Sequence, residues 1–404
     1  MKQAAENYEF KKALKIGSVC IFTYMMSYYM RNILSVTTPE MLENGDFTKE
    51  FIATMSSVYM IVYASGQLVN GIIGDIIKPR FMVFIGLVLA GVSLIGFPFA
   101  AVPIEQVCCF AVLGFGFSML RGPIVKLVSE NTLPTHARMC CVMLSVSCYA
   151  GPLIAGLFAM FLKWKPVFIV SGIISLLLAV FSYITFAVLE KSGLIVPMKV
   201  KKTDDKKEKI SVLSVFKLDN FVVYLLIGMV IEISGTAISF WLPTYMSEYL
   251  GFPSNVSGVV YSVISLIKSF GPFLCLVLFK KFGEDDMKMM RVMYVLSTLF
   301  FVGMSVITNV WINLLLLLLA LLATCCASGV MWSIYIPSLA KSGKVSSANG
   351  ILDCSGYAAA AAATTGFAYV MQSYGWTGTI LLWAGITFVG IILTYFGKKQ
   401  DVTE

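Results

Sequence analysis

The chain has 404 residues, of which 58% are hydrophobic and 13% are charged. Soluble domains carry about 25% charged residues, so this composition excludes an ordinary soluble protein and indicates a surface that faces lipid. The net charge of +8 indicates basic membrane-flanking loops rather than a nucleic-acid site, because no soluble domain is left to carry one.

Apolar runs recur along the chain, and a helix needs about 20 such residues to cross a bilayer. We predict twelve membrane spans, in chain order, at 16–38, 51–73, 81–101, 107–129, 138–161, 167–189, 219–246, 256–279, 291–309, 311–339, 346–371 and 376–396. The first run follows polar residues and is too long for a cleavable signal peptide, so we expect it to be retained.

Basic residues gather in alternate loops, which predicts that both termini lie in the cytoplasm. The basic set comprises the N-terminus, Lys78, Arg80, Arg138, the 190–217 stretch, Lys280, Lys281, Lys288, Arg291, Lys341, Lys344, Lys398 and Lys399. The opposite set is nearly free of basic residues, apart from Lys163 and Lys165. We expect a multi-pass protein of the plasma (inner) membrane.

One segment, 190–218, interrupts the apolar pattern with the charged sequence KVKKTDDKKEK. It lacks apolar periodicity and is typical of a flexible cytoplasmic linker. We therefore predict an N-terminal six-helix half at 1–189 and a C-terminal six-helix half at 219–404.

The turn after the second span contains Gly71, Asp75 and Arg80. This spacing resembles the signature of major-facilitator transporters, although Ile76 replaces a basic residue and Lys78 replaces a glycine. The resemblance implies a gating role in which Asp75 pairs across the interface between the halves and Arg80 begins the third span.

A second resemblance rests on motifs spread over most of the chain. They are Tyr28-Tyr-Met-Arg31 followed by Pro39, Gly114-Phe-Gly116-Phe, Trp241-Leu-Pro243-Thr-Tyr245, Ser347-Ala-Asn-Gly350 and Gly375-Trp376. Together they resemble the organophosphate:phosphate antiporter family. The first motif is also similar to the anion:cation symporter family, whose aspartate position is Met30 here. Both resemblances imply an all-α, twelve-helix major-facilitator fold, with two pseudo-symmetric halves around a central cavity and transport by alternating access.

The departures from the antiporter family concern its phosphate-binding residues. The family's second arginine, in helix 7, falls at Gly235 here; its helix-5 histidine falls near Cys148 and its helix-2 lysine at Gln67. The resemblance therefore predicts an anion site without the two-arginine clamp of the family.

Ionisable residues within spans are costly and indicate functional sites. The candidates are Arg31, Arg121, Lys126, Glu232, Lys268 and Asp353. Four are basic and two acidic, so a cavity that they shared would attract an anion. Arg31 is the strongest candidate for substrate binding, because Tyr24 and Tyr28 share its helix face.

Further candidates follow from helical spacing. Lys268 shares a face with Tyr261, and we predict that both bind substrate; Tyr63, Gln67 and Lys126 complete the predicted substrate-binding set. For Tyr63 and Gln67, helix packing is an equal alternative to substrate binding. For Lys126, the equal alternative is that its side chain snorkels to the membrane surface.

Two acidic residues are candidates for coupling or gating. Glu232 is suited to pair with Arg31 or Lys268 or to carry a coupling proton, and Asp353 lies near a cytoplasmic end. Arg121 and Lys126 are about 140° apart on a helix, so we do not expect both to face one site.

We predict a secondary transporter of a small organic anion, either an organic phosphate or a carboxylate. An exchanger with phosphate as counter-substrate, a proton-coupled sugar-acid or carboxylate symporter and a transporter-like membrane sensor remain alternatives. The only histidine, His136, lies in a loop and the ten cysteines form no C-x-x-C motif, so we expect neither an enzyme nor a metal or other cofactor. We expect a monomer.

Overall fold

The computed structural model describes residues 2–73, 77–195, 212–339 and 345–398. Every regular element in these ranges is helical, and they contain no strand. The predicted all-helical class is therefore confirmed. Asp75, Lys341, Lys344, Lys399 and residues 196–211 of the predicted linker lie outside the described residues.

Sixteen α-helices follow one another along the described residues. They are α1 (Lys2–Arg31), α2 (Ile33–Glu43), α3 (Lys49–Ile73), α4 (Pro79–Gly96), α5 (Pro103–Ser118), α6 (Arg121–Asn131), α7 (Pro134–Phe161), α8 (Trp164–Lys191), α9 (Phe221–Glu232), α10 (Ser239–Glu248), α11 (Ser254–Lys268), α12 (Gly271–Lys281), α13 (Asp286–Val306), α14 (Val310–Val330), α15 (Ile336–Ser338) and α16 (Val345–Phe396). Two π-helical segments, Ile233–Ile238 and Met331–Tyr335, join α9 to α10 and α14 to α15.

Each of the twelve predicted spans is helical over most of its length. Nine stretches of the described residues are long and apolar enough to cross a membrane. One of them, Ala348–Phe396, contains two predicted spans, because Gly375 turns the chain with φ 65° and ψ −167°. The remaining two spans, the first and the fifth, correspond to α1 with α2 and to α7.

Several spans are interrupted near their charged residues. Arg31 ends α1, Arg121 begins α6, Glu232 ends α9 and Lys268 ends α11. Gly271-Pro272 follows the last of these breaks, where proline cannot continue the helical hydrogen bonding. Broken membrane helices expose backbone groups that frequently form substrate or ion sites, so the four interruptions are candidate positions for a functional site.

The chain divides into two compact units. The first unit comprises Met1–Phe47, Thr54–Asp205 and Pro253–Ser262, and the second comprises Thr48–Ala53, Lys206–Phe252 and Val263–Glu404. The division into halves at the 190–218 linker stays a prediction.

Close helix packing in the first unit depends on small residues. A Cβ atom on Gly91 of α4 would lie 2.9 Å from the carbonyl oxygen of Gly172 in α8, so only glycine permits this approach. Ser175 Oγ donates to the carbonyl oxygen of Leu87 over 2.8 Å and ties the same two helices. Such contacts replace the hydrophobic effect, which does not drive helices together within lipid.

The second unit has a core of methionine, aromatic and aliphatic side chains around Tyr224. The Tyr224 ring stacks on Tyr335 with centroids 3.6 Å apart, and its hydroxyl donates to Asp286 Oδ2 over 2.5 Å. Asp286 is only 1% exposed, and this hydrogen bond offsets part of the cost of burying its carboxyl group.

Candidate functional site

Arg31 stands at a break in the first span. Asn32 leaves the helix with φ −93° and ψ −2° before α2 begins. Its amide N–H bonds to Tyr29 O, and its side-chain Nδ2 donates to Tyr28 O over 2.8 Å. The side chain thereby satisfies a carbonyl group that the interrupted helix would otherwise leave unpaired.

Tyrosine rings surround the Arg31 side chain. Its guanidinium carbon lies 4.6 Å from the centroid of Tyr28 and 4.2 Å from that of Tyr63. Nη1 donates to the Tyr63 hydroxyl over 3.3 Å. Stacking uses the faces of a guanidinium, whereas its in-plane N–H fork is the part suited to a carboxylate or phosphate.

Three further side chains extend this arginine–tyrosine cluster. Tyr24 packs edge-on against Tyr28 with centroids 5.2 Å apart, and Tyr59 stacks on Tyr63 at 6.0 Å. The Cys148 thiol hydrogen-bonds with Tyr28. The cluster therefore draws on α1, α3 and α7.

Arg121 acts on the same cluster from α6. Both its guanidinium and that of Arg31 interact electrostatically with Tyr24 and with Cys148. Lys126, five residues further along α6, is half-buried. Two basic residues of the first unit, Arg31 and Arg121, therefore lie within electrostatic range of Tyr24.

The predicted partners of Lys268 divide between the two units. The Tyr261 hydroxyl donates to Asn32 Oδ1 over 3.1 Å, which places Tyr261 beside the break that follows Arg31 in the first unit. Lys268 belongs to the second unit. Gln67 lies one turn beyond Tyr63 on α3, and no described residue hydrogen-bonds with its buried Nε2 atom.

The second unit has its own charged cluster. Lys268 is 8% exposed, and its Nζ donates to Ser239 Oγ over 2.9 Å. Glu232 interacts electrostatically with this ammonium group and accepts a hydrogen bond of 3.0 Å from Thr236 Oγ1. Glu232 and Ser239 flank the π-helix Ile233–Ile238, and such segments are frequent at functional sites.

Helix α16 packs against this second cluster. A Cβ atom on Gly356 would lie 3.1 Å from Glu232 Cβ, so the helix approaches the glutamate through a glycine. Asp353, one turn earlier, is 7% exposed and accepts a hydrogen bond of 3.1 Å from Asn349 Nδ2. Asp353 thus has a local partner on its own helix.

Arg80, predicted to act in gating, forms an ion pair of 2.8 Å with Glu190 Oε2 at the end of α8. Its guanidinium lies 5.5 Å from the Tyr183 ring centroid. This contact ties the start of α4 to the end of α8 within the first unit. Asp75, the other residue of the predicted gate, lies outside the described residues.

Comparison with protein families gives one decisive match. The profile of the Major Facilitator Superfamily matches residues 20–364, which is most of the chain. The chain belongs to the Major Facilitator Superfamily.

Individual relatives of this superfamily member match over short stretches. The Escherichia coli (strain K12) membrane sensor protein UhpC is 30% identical over 90 residues, or 22% of this chain and 20% of the sensor. An uncharacterised MFS-type transporter of Mycobacterium tuberculosis, Rv1250, is 22% identical over 173 residues, or 40% of this chain and 30% of the relative. The chain thus spans less than a third of each curated relative.

Solved superfamily structures match almost the entire chain. A bacterial homologue of the human lysosomal transporter Spinster has a TM-score of 0.79 at 10% identity, covering 95% of this chain and 96% of that chain. The E. coli xylose transporter XylE has a TM-score of 0.75 at 12% identity, covering 98% and 100%. At such identities the likeness shows the fold alone. The predicted major-facilitator fold is confirmed.

Superfamily membership, together with the membrane-spanning stretches, shows a multi-pass membrane protein and points to transport rather than to enzyme activity. The two charged clusters are the part of the molecule that bears on the substrate class.

The contribution of Arg121 to the first cluster escaped helical-wheel reasoning. The wheel compared Arg121 only with Lys126 on the same helix, whereas the fourth span breaks just before Arg121, between α5 and α6 at Met119 and Leu120. The sequence does contain a signal, because Gly122 and Pro123 follow Arg121 directly and both weaken helices. That signal indicates a break, but not the neighbours that the break gives to Arg121.

Proposed function

We propose that this protein transports a small organic anion, an organic phosphate or a carboxylate, and that Arg31 binds its charged group. The observation that carries the proposal is the stacking of the Arg31 guanidinium against Tyr28 and Tyr63 at 4.6 and 4.2 Å. An arginine held by two rings beside a helix break is pre-organised, so it loses little side-chain entropy when it binds an anion.

The charge pattern of the first six predicted spans supports an anion. These spans, at 16–38, 51–73, 81–101, 107–129, 138–161 and 167–189, contain no aspartate or glutamate. They do contain Arg31, Arg121 and Lys126, with Arg138 as the first residue of the fifth span. Positive charge in a membrane is costly, and an anionic substrate would offset that cost when it binds.

The second unit supports a proton-coupled symporter as the second candidate. Lys268 and Glu232 have opposite charges and interact, so protonation of Glu232 would alter the environment of the buried ammonium group. That link gives a physical route for coupling. A phosphate exchanger needs no such step, and in an exchanger the pair would serve structure or substrate binding.

A membrane sensor is the third candidate. It is favoured by the 30% identity with the E. coli membrane sensor protein, which extends over 22% of this chain. A sensor would bind its ligand through the same arginine without net transport.

We also propose that the protein is a monomer in the plasma membrane with both termini in the cytoplasm. The alternation of basic loops supports this topology.

Proteoliposomes containing the full chain test these candidates. Radiolabelled phosphate esters and carboxylates are offered outside, first with phosphate inside and then with an inward proton gradient and no internal phosphate. We expect saturable uptake of at least one anion. Uptake that needs internal phosphate identifies an exchanger, and uptake driven by the proton gradient alone identifies a symporter.

Binding measured on the same purified protein separates the remaining outcomes. Anion binding without uptake in either arm identifies a sensor. Uptake of uncharged or cationic compounds, with no anion bound or transported, would contradict the proposal.

A further inference from the structure

We propose that the outer surface where α1 meets α8 is a binding site for an anionic phospholipid. Lys11 and Lys15 of α1 and Lys191 of α8 would hold the phosphate-containing headgroup, and the exposed apolar side chains beyond them would contact an acyl chain. This site is separate from the arginine–tyrosine cluster, so the inference does not depend on the transported substrate.

Two contacts define how α1 and α8 lie against each other in the first unit. The rings of Phe22 and Phe181 meet edge to face with centroids 6.2 Å apart, and the Tyr29 hydroxyl hydrogen-bonds with Ser171 Oγ over 2.5 Å. Residue numbers rise along one helix as they fall along the other, so the two helices are antiparallel. The N-terminal end of α1 and the C-terminal end of α8 therefore lie on the same side of the membrane.

Exposed apolar side chains follow both helices toward that end. On α8, Phe181, Ile184 and Val188 are 47–57% exposed and share one helix face. On α1, Phe22 and Leu14 are 43% and 60% exposed. Because α8 is one of the stretches that are long and apolar enough to cross a membrane, this surface is expected to meet acyl chains rather than water.

Three exposed lysines stand at the end of this apolar surface. Lys11 and Lys15 lie one turn apart on α1, and Lys191 is the last residue of α8. At 1.5 Å per residue, Lys15 lies about 10 Å along α1 from Phe22. In the same direction, Lys191 lies about 15 Å along α8 from Phe181. Long lysine stems can cover apolar surface while the ammonium groups reach the headgroup level.

The described part of the chain does not neutralise these lysines. None of their three ammonium groups takes part in an ion pair or a hydrogen bond with a described residue. Glu190, the neighbour of Lys191, is ion-paired at 2.8 Å with Arg80 of α4. Glu9 lies two residues before Lys11 and therefore about 160° around α1. The lysine-bearing end thus has positive charge that an anionic headgroup would balance.

The lysines and the apolar surface together specify the ligand. A soluble anion would contact the lysines but would gain nothing from Leu14, Ile184 or Val188. A zwitterionic lipid would cover the apolar side chains but would bring a positive group to the lysines. An anionic phospholipid satisfies both surfaces, because its phosphate oxygens accept hydrogen bonds from ammonium groups while its acyl chain remains in the membrane.

Native mass spectrometry of the purified full-length protein in detergent tests this site. The probes are phosphatidylglycerol, phosphatidylcholine with the same acyl chains, and glycerophosphoglycerol, which is the deacylated form of the first lipid. The test variant combines Lys11→Gln, Lys15→Gln and Lys191→Gln. A second variant combines arginine substitutions at the same three positions and keeps their charge.

Three exposed lysines of the second unit provide the matched control. The control variant removes the same amount of charge from a basic segment on other helices. It combines Lys280→Gln, Lys281→Gln and Lys288→Gln.

We expect the wild-type protein to bind phosphatidylglycerol about 100-fold more tightly than phosphatidylcholine, roughly fivefold for each lysine near the membrane surface. The test variant should reduce this preference to about threefold or less. The control variant and the arginine variant should keep it, and the deacylated compound should not displace the lipid. If the triple glutamine variant fails to fold, each of the three single variants should lower the preference by about fivefold.

A preference that survives in the test variant, or in all three single variants, would overturn the site. Equal losses in the test and control variants would show a general effect of charge and would also overturn it. Displacement of the lipid by an equal concentration of glycerophosphoglycerol would replace the lipid with a soluble anion. None of these results would affect the proposed anion transport, which depends on Arg31.

Discussion

The two charged clusters differ in how their charge is compensated. In the first unit, Arg31 and Arg121 meet tyrosines and a thiol in a region whose predicted spans contain no acidic residue. In the second unit, Lys268 is held by the Ser239 hydroxyl and interacts with Glu232. Both clusters lie at helix interruptions, so the difference is one of chemistry rather than of architecture.

This difference leads us to propose separate tasks for the two units. A cluster of arginines among tyrosines is suited to bind an anionic substrate. A cluster with an internal acidic partner is compensated without substrate and is suited to coupling or stability. Substitutions of single side chains in or beside the two clusters test whether their tasks are separate.

The largest effect is expected from Arg31→Gln. Loss of the guanidinium removes the in-plane N–H fork and the positive charge together. Because charge-assisted hydrogen bonds contribute about 1.5–3 kcal/mol each, anion uptake should fall by about 100-fold or more. Arg31→Lys should recover only part of it, because an ammonium group lacks the planar fork. Initial uptake rates in proteoliposomes measure both.

Arg291 provides the matched control for that substitution. It also lies over a tyrosine ring, with 3.8 Å between its guanidinium carbon and the Tyr395 centroid, but it bonds to Thr394 in the second unit. Arg291→Gln should leave anion affinity unchanged. A similar loss of affinity in both variants would show that general destabilisation, and not anion binding, explains the effect.

The next effect concerns the packing that positions Arg31. A Cβ atom on Gly151 in α7 would lie 2.6 Å from the backbone carbon of Tyr28, so Gly151→Val must push α1 away beside the arginine. Overpacking of this kind costs about 1–3 kcal/mol of folding free energy. We expect a lower thermal midpoint in detergent and weaker anion binding.

Gly122→Ala is the corresponding glycine control, since a Cβ there meets nothing within 4 Å. It should preserve the thermal midpoint. If Gly151→Val left both stability and binding intact, the close approach of α7 to α1 would not position Arg31.

A smaller effect is expected from Glu232→Gln. Loss of the acidic partner should lower the free energy of unfolding by about 1 kcal/mol, and the double variant with Lys268→Gln should lose less than the sum of the single variants. Transport assays of Glu232→Gln distinguish the alternatives. If the protein is an exchanger, phosphate exchange should remain intact. If it is a symporter, proton-driven uptake should be lost while exchange is preserved.

The pair of Lys49 and Glu248 supplies the control. It forms an ion pair of 2.6 Å in the second unit, but both side chains are more exposed, at 25% and 31%. Exposed pairs contribute about 0–1 kcal/mol, so Glu248→Gln should change proton-driven uptake little. Equal losses of proton-driven uptake in both variants would remove the special role of Glu232.

The smallest expected effect is an increase in anion affinity. Gly235→Arg places a guanidinium where the antiporter family has its second arginine, and a Cβ at this position meets nothing within 4 Å. If the second unit contributes to anion binding, affinity for phosphate monoesters should rise by about three- to tenfold, as one partly solvated charge interaction provides. Unchanged affinity would confine anion binding to the first unit.

Much of the fold follows from local patterns. The lengths of the apolar runs predicted all twelve helical spans, and Gly375 before Trp376 marked the turn between the last two. The break after Arg31 was not predicted, because Asn32 is compatible with a helix until its side chain takes the Tyr28 carbonyl. The site was predicted in part, because Arg31, Tyr24, Tyr28 and Tyr63 do lie together.

The sequence by itself determined which residues enter the membrane and which charges they bring, because the cost of burying polar groups in lipid depends on composition along the chain. Only the tertiary structure decided which charges share a cluster. Tyr261 and Lys268 occupy one helix face but lie in different units, while Arg121 joins tyrosines nearly 100 residues away. Helix breaks and glycine-mediated contacts cause this arrangement, and both depend on neighbours that no local pattern specifies.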